Sequence, residues 1–518
     1  MSGEHADDTS RGTVSKWQAK ALAISTCISI SLNAITAGSI FTIPLWGPPL
    51  AKTIGLSMSQ SNNVAIGAIL GEYISAVGWG LLVDQRGPRT VSLCAAVLFA
   101  VGYGMMARSI KMSPPDDPSL LASKDDPIDI IAPSATWIFL ACYYVLSGSA
   151  TAASYFAAVT TATRSFPDHP GLAIAIPCAL FGLSPLLISQ LASALFVDRS
   201  QITSPDELDV YRFFVFLAIT LFVVNMLGAY GLRIIPRSPA VLLKEDVDEQ
   251  QDREGDALSS PTESSLLLPA TDLTSAPKPI TLRSCMGNRQ FWLLSLIAAL
   301  VSGPAEATIA TLGNVIESVL AQPQLWLEPA WPGTDALNIR KTHVIVIAVC
   351  NTAIRLLAGP LSDWLSPKRA GLATTRTWTI SRLYFLVFAC LLFVIAFLWA
   401  AFVMQTPAGL WLLSVGVGLG YGLTFTLIPA IVSTAFPLEH FGFNWGLISL
   451  ASAAGSFVFT ALAGAVSDSA TEGRHARDNV CAGRRCFAAT FAIYTASCIL
   501  AALMTVWLQR QRHWRGKV

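Results

Sequence analysis

Arg355 stands well inside a long apolar run, with Asn351 one helical turn earlier on the same face. A guanidinium is charged at any physiological pH, so at that depth it must face a polar cavity or a partner. It suits a carboxylate, which it can hold through two parallel hydrogen bonds. The competing reading of Arg355 is a structural ion pair near its helix end, connected to Asp363. Glu72, in Gly71-Glu72-Tyr73, and Glu306, after Gly303-Pro304-Ala305, lie in two further apolar runs. A carboxyl shielded from water favours its neutral form, so either could carry a proton, and either could equally hydrogen-bond between helices. Pro304 has no N–H to give and must break a backbone bond. Broken helices are tolerated at membrane depth where they line a cavity. An ionisable side chain at bilayer depth costs roughly 2.5–3.5 kcal/mol on insertion scales, which makes each a candidate for solute binding or coupling. Asn33, Asn314 and Tyr421 are softer candidates for the cavity wall, and Glu317, near an interface, means less.

The composition explains why such residues are conspicuous. Of 518 residues 53% are hydrophobic and only 13% charged, with mean hydropathy +0.55. Soluble domains carry about a quarter charged residues, so this is a membrane chain. Apolar runs cover about 19–46, 62–83, 88–107, 136–163, 171–196 and 213–235, then 290–313, 342–362, 379–403, 408–434, 444–467 and 487–508. Each reaches the ~20 residues that cross a bilayer. The chain therefore reads as an all-α polytopic membrane protein of twelve spans in two six-helix halves. Its divisions are an N-terminal tail 1–18, halves at 19–235 and 289–508, a linker 236–288 and a tail 509–518. The net charge of +1, without a basic tract, excludes nucleic acid as a partner. No phosphate-binding Gly-rich loop, HExxH or GxSxG occurs, so neither an enzyme nor a primary pump is expected, and no cofactor. Most of the ten cysteines lie in apolar runs as small hydrophobes. Cys481 and Cys486 lack the second pair that zinc requires, and a local disulfide between them stays open.

The run ending at 83 leads into Gly80-Leu-Leu-Val-Asp84-Gln-Arg86-Gly87-Pro-Arg89, and a related stretch returns as Gly359-Pro-Leu-Ser-Asp363-Trp-Leu-Ser366-Pro-Lys368-Arg369. Each sets a glycine four residues before an aspartate, with basic residues after it. The glycine admits a neighbouring helix. The aspartate, at the membrane edge, can meet the basic residues of its turn or the N-terminus of an adjacent helix. Two copies half a chain apart point to a duplicated architecture. The pattern resembles the signature loop of the major facilitator superfamily of transporters, whose charge cluster latches one conformation. Gly80, Asp84, Arg86, Gly87, Arg89, Gly359, Asp363 and Lys368 are the gating candidates this resemblance implies. The second copy departs from the pattern at Trp364 and Ser366.

Two further stretches narrow the resemblance. Gly38 through Leu50, followed by Gly55-Leu-Ser-Met-Ser-Gln60, is similar to the first span and loop of nodulin-like facilitators. Gly420-Tyr421-Gly422 through Ser433, with Phe441-Gly442-Phe-Asn444-Trp445-Gly446, is similar to their tenth span and the loop after it. The whole resembles the fungal monocarboxylate transporter homologues, which implies a vacuolar membrane, with the plasma membrane as the alternative. It also implies a secondary transporter of a small solute, a carboxylate among the options, with H+ as a coupling ion. Animal monocarboxylate transporters pair the Arg355-type arginine with an aspartate one turn away that serves proton coupling, and Asn351 stands in its place here. The other reading of this fold is a nutrient sensor or receptor without flux.

Lys and Arg near the span ends set the orientation. Arg11, Lys16, Lys20, Arg86, Arg89, Arg164, Lys368 and the tail from Arg510 place both termini in the cytosol, against Arg474, Arg477, Arg484 and Arg485 on the far side. The linker, acidic and then rich in Ser, Thr and Pro, is expected to be disordered. Its Glu263-Ser-Ser-Leu-Leu267-Leu268 resembles a dileucine signal that a sorting adaptor would read, or is plain linker.

Overall fold

The computed structural model describes residues 16–54, 58–112, 133–196, 208–235, 287–320, 336–366, 380–471 and 483–511. The dileucine residues Glu263, Leu267 and Leu268, together with Lys368 and Cys481, lie outside them. Twelve helices are long and apolar enough to cross a membrane. The N-terminal half comprises α1 (Lys16–Ala37), the short α2 (Ile43–Ile54), α3 (Met58–Arg86), α4 (Pro88–Met112), α5 (Pro133–Ser165), α6 (Pro170–Leu195) and α7 (Val210–Gly231). The C-terminal half comprises α8 (Arg289–Leu320), α9 (Ala336–Leu365), α10 (Arg382–Phe402), α11 (Leu410–Ala435), α12 (Phe441–Thr471) and α13 (Ala488–Arg510). Each half has its own core. Trp46, Phe99, Tyr103, Tyr144 and Phe214 anchor the first, and Phe291, Phe393, Phe397, Phe491 and Tyr494 the second.

Local chemistry ends the helices where the spans must end. Asp209 caps α7 by accepting the Arg212 N–H at 3.0 Å, and Ser381 caps α10 by accepting the Leu383 N–H at 3.2 Å. The turn between α3 and α4 is a single residue, Gly87, at φ +84°. Its N–H reaches the Val83 carbonyl at 3.0 Å, and Pro88 opens the next helix with the fixed φ that such a position favours. The first span changes pitch at a 3-10 turn, Gly38–Thr42. The Tyr144 hydroxyl donates to the Ile40 carbonyl there at 2.5 Å.

Inside a bilayer every backbone group must find a partner within the protein, and the prolines make this visible. The break expected at Pro304 does not occur, because α8 runs unbroken through it. The Leu300 carbonyl, deprived of the Pro304 N–H, accepts the Ser497 hydroxyl of α13 at 2.8 Å instead. Pro429 likewise frees the Phe425 carbonyl in α11, and the Cys178 thiol of α6 donates to it at 3.7 Å.

Asn33 also finds a different place from the one expected. Fully buried in α1, its side-chain oxygen accepts the Ser92 hydroxyl of α4 at 2.7 Å. Ser154 of α5 donates to the Asn225 side-chain oxygen at 2.7 Å, and the Asn225 amide donates to Thr36 at 3.1 Å. The group ties α1, α4, α5 and α7 together, so Asn33 serves packing within its half and not the cavity wall.

Ser497→Ala would leave the Leu300 carbonyl buried without a donor, a loss of about 1–3 kcal/mol. The detergent-purified variant should melt several degrees below the parent. Ser469→Ala, at an exposed hydroxyl bonded only within its own helix, should not. Equal midpoints for the two variants would contradict this account of Pro304.

Candidate functional site

The two halves meet along two seams, α3 against α12 and α6 against α9. Both are built the same way. In the first, Gly80 and Gly442 approach so closely that a methyl group on either would collide with the other's carbonyl. In the second, Gly171 and Gly359 do the same. Only glycine permits backbone contact this close. Four residues beyond each α3 or α9 glycine comes the aspartate, now one turn along the same face. Asp84 accepts the Gly442 N–H at 3.1 Å and the Phe443 N–H at 2.7 Å. Asp363 accepts the Gly171 and Leu172 N–H groups, both at 2.8 Å. Each carboxylate therefore caps a helix of the opposite half, where unpaired N–H groups and the helix dipole favour negative charge.

The counter-cations are not the residues of the turn. Asp84 pairs with Arg164 at the end of α5, which also donates to the Leu438 carbonyl at 3.1 Å. Arg86 is exposed, and Arg89 donates to the Tyr230 and Leu232 carbonyls at the end of α7. Among the described residues neither pairs with Asp84. Asp363 pairs with Arg382 of α10 at 3.0 Å. The structural alternative for Arg355, an ion pair with Asp363, is thereby corrected.

Arg355 instead lies about midway along its span, 3% exposed. Its Nε donates to Asn351 Oδ1 at 2.9 Å. Its Nη1 crosses to the other half and donates to the Cys178 carbonyl at 2.8 Å. The guanidinium lies over the rings of Tyr421 and Phe425, 5.9 and 6.0 Å from their centroids. Tyr155 bonds to the Cys178 thiol at 3.1 Å. Among the described residues no carboxylate forms an ion pair with Arg355.

Glu306 is the second centre. Its Oε1 accepts the Tyr73 hydroxyl from the N-terminal half at 2.9 Å and the Tyr421 hydroxyl from its own half at 3.3 Å. Glu72, beside Tyr73 on α3, is near enough for the two carboxyls to interact electrostatically. The structure thus brings Arg355, Asn351, Glu72, Glu306 and Tyr421 to one region. Glu317 belongs elsewhere, paired with Arg340. Asn314 lines a separate cavity of about 240 Å³ in the C-terminal half, together with Thr311, Thr490 and Tyr494. The sequence reading missed Tyr73, Tyr155, Cys178 and Phe425. Only for Tyr73, next to Glu72, was a signal present.

The Major Facilitator Superfamily pattern matches residues 26–460. The chain belongs to that superfamily. Among its relatives, the probable transporter MCH1 of Gibberella zeae is 30% identical, covering 95% of this chain and 89% of the relative. The protein of the same description from Saccharomyces cerevisiae is 26% identical over 83% and 82%. Among solved structures, the proton:xylose symporter XylE aligns over 93% of this chain and 94% of its own, with TM-score 0.57 and 14% identity. FucP in its outward conformation aligns over 93% and 99%, with TM-score 0.54 and 12% identity. At such identities these two carry the fold alone, a facilitator fold of two six-helix halves.

Asp84→Asn and Asp363→Asn each remove one ionised acceptor from a helix N-terminus, worth about 1.5–3 kcal/mol. In this facilitator the first should speed hydrogen exchange at Gly442–Phe443 by about tenfold or more, and the second at Gly171–Leu172. Unchanged protection in both variants would show that the two carboxylates do not hold these helix ends.

Proposed function

We propose that this facilitator is a secondary-active transporter that moves a small carboxylate-bearing solute across an internal membrane by alternating access. The observation that carries the reading is the meeting of Arg355, Glu72 and Glu306 midway along the spans, where the halves face one another and where facilitator-type sites lie. Arg355 takes the solute carboxylate. Its charge has no carboxylate partner in the described residues, and Asn351 orients it without neutralising it. Glu306 and Glu72 are the proton carriers. The Tyr73–Glu306 hydrogen bond joins the halves, so a change of charge at Glu306 bears directly on how they pack.

The gates follow from the same frame. With both termini in the cytosol, the Asp84 and Asp363 latches shut the cytosolic side in the state described here, and rocking the halves must break them. The relatives described as probable transporters support transport over sensing. The fungal resemblance supports the vacuolar membrane, with the linker's Glu263-Leu267-Leu268 as the adaptor-read address.

The test is flux into sealed vesicles holding the purified protein, with labelled carboxylates and amino acids, with and without an imposed pH gradient. Gradient-dependent uptake is expected. Arg355→Ala should abolish it, a loss of at least about 100-fold from removing one half of a buried charged contact. Glu306→Gln should leave any residual uptake indifferent to the gradient. Solute-dependent binding without flux, in correctly folded protein, would favour a sensor.

A further inference from the structure

The centre of the spans holds more carboxyls than guanidiniums. Among the described residues it holds one guanidinium, Arg355, and two carboxyls, Glu72 and Glu306. The two signs are kept apart by Tyr421, whose ring lies under the guanidinium at 5.9 Å while its hydroxyl reaches Glu306 at 3.3 Å. The hydrogen bonds to the Glu306 carboxyl come from neutral hydroxyls, those of Tyr73, Tyr421 and Ser456. These orient an acceptor without cancelling its charge. Arg355 is treated the same way from the other side, since its partners are a neutral amide oxygen and a backbone carbonyl. Its Nη2 makes no hydrogen bond with the described residues, and an isolated buried charge of either sign is costly.

A solute with a carboxylate alone would complete Arg355 and give the two carboxyls no cation, so that only proton uptake would relieve them. A solute that also carries an ammonium would complete both ends. The walls fit such a group, for the hydroxyl oxygens of Tyr73 and Tyr421 gather at the Glu306 carboxyl. We propose that the transported solute is amphoteric, its carboxylate on Arg355 and its ammonium against the Glu72–Glu306 pair beyond Tyr421. This rests on reading the midplane as the transport site, and it assigns Glu306 and Glu72 to recognition as well as coupling.

Three matched series test it in proteoliposomes of the full chain. The amphoteric members are leucine, γ-aminobutyrate and ε-aminocaproate. Their deaminated counterparts are isocaproate, butyrate and caproate, and their decarboxylated counterparts isopentylamine, propylamine and pentylamine. Uptake, and thermal stabilisation of the purified protein, should appear for amphoteric members and be absent from both one-group series. Glu306→Gln and Arg355→Lys should each raise KM by about 30-fold or more, with Glu306→Asp recovering part of the loss. Size-exclusion profiles identify any variant that fails to fold, and Glu72→Gln then carries the same test.

Acids transported as well as their amino counterparts, or a KM for the amphoteric solute untouched by Glu306→Gln, would overturn the inference. So would flux of some other solute class with none of these series moving, which leaves the transporter reading standing. Absence of flux for every solute in folded protein would sink both.

Discussion

A carboxylate laid across the N-terminus of a helix from the other half is the interaction on which this molecule's arrangement depends, and it occurs twice. Asp84 holds the first turn of α12 and Asp363 that of α6. In each case the reach of the side chain is short, so the two backbones must nearly touch. That is the physical reason for Gly80 against Gly442 and Gly359 against Gly171. The glycine and the aspartate, four apart, are one device: the first removes side-chain bulk so that the second can cap. Arg164 and Arg382 then balance the charge from within the aspartate's own half, which keeps each latch close to neutral and makes it separable without stranding a lone charge.

To act as the proposed latch, each seam has to be strong enough to define a state and weak enough to leave it. Hydrogen bonds to charged groups contribute about 1.5–3 kcal/mol net each, so the four across the two seams come to about 6–12 kcal/mol. Moving a two-state equilibrium from one side to the other takes about 5.5 kcal/mol of differential affinity. The two quantities are of the same order. On the proposed reading a solute bound at Arg355 and Glu306 would therefore compete with the seams, whereas a broad apolar interface between the halves would not open so readily.

The fold was legible because the bilayer imposes length and apolarity on every span, and twelve runs met both conditions. The seams were half legible. The spacing of Gly80 to Asp84 and of Gly359 to Asp363 was visible, but Arg164 and Arg382 look in sequence like ordinary basic residues at span ends. Their pairing depends on which helices lie side by side. Tyr155 and Phe425 were hidden for a related reason, since an aromatic residue packed inside the protein reads the same in an apolar run as one facing lipid. Asn33 misled in the opposite sense. A polar residue at depth was expected to face a cavity, and four helices met around it instead. Pro304 was misread because the missing backbone bond is replaced from another helix, by Ser497, far away in sequence.

Asn351 decides how the midplane is to be understood. An aspartate one turn before Arg355 would neutralise the guanidinium, and a solute would have to displace it. The asparagine supplies an acceptor for Nε at 2.9 Å and so fixes the direction of the side chain while leaving its charge uncancelled. The same economy governs Glu306, oriented by tyrosine hydroxyls that carry no charge. Both ends of the site are thus held in position but left electrostatically unfinished. Because uncompensated buried charge is unfavourable, the missing partners must arrive from outside the described chain, as protons, as solute groups, or as both. On the proposed reading a solute completes the site, which would link its recognition to the packing of the two halves.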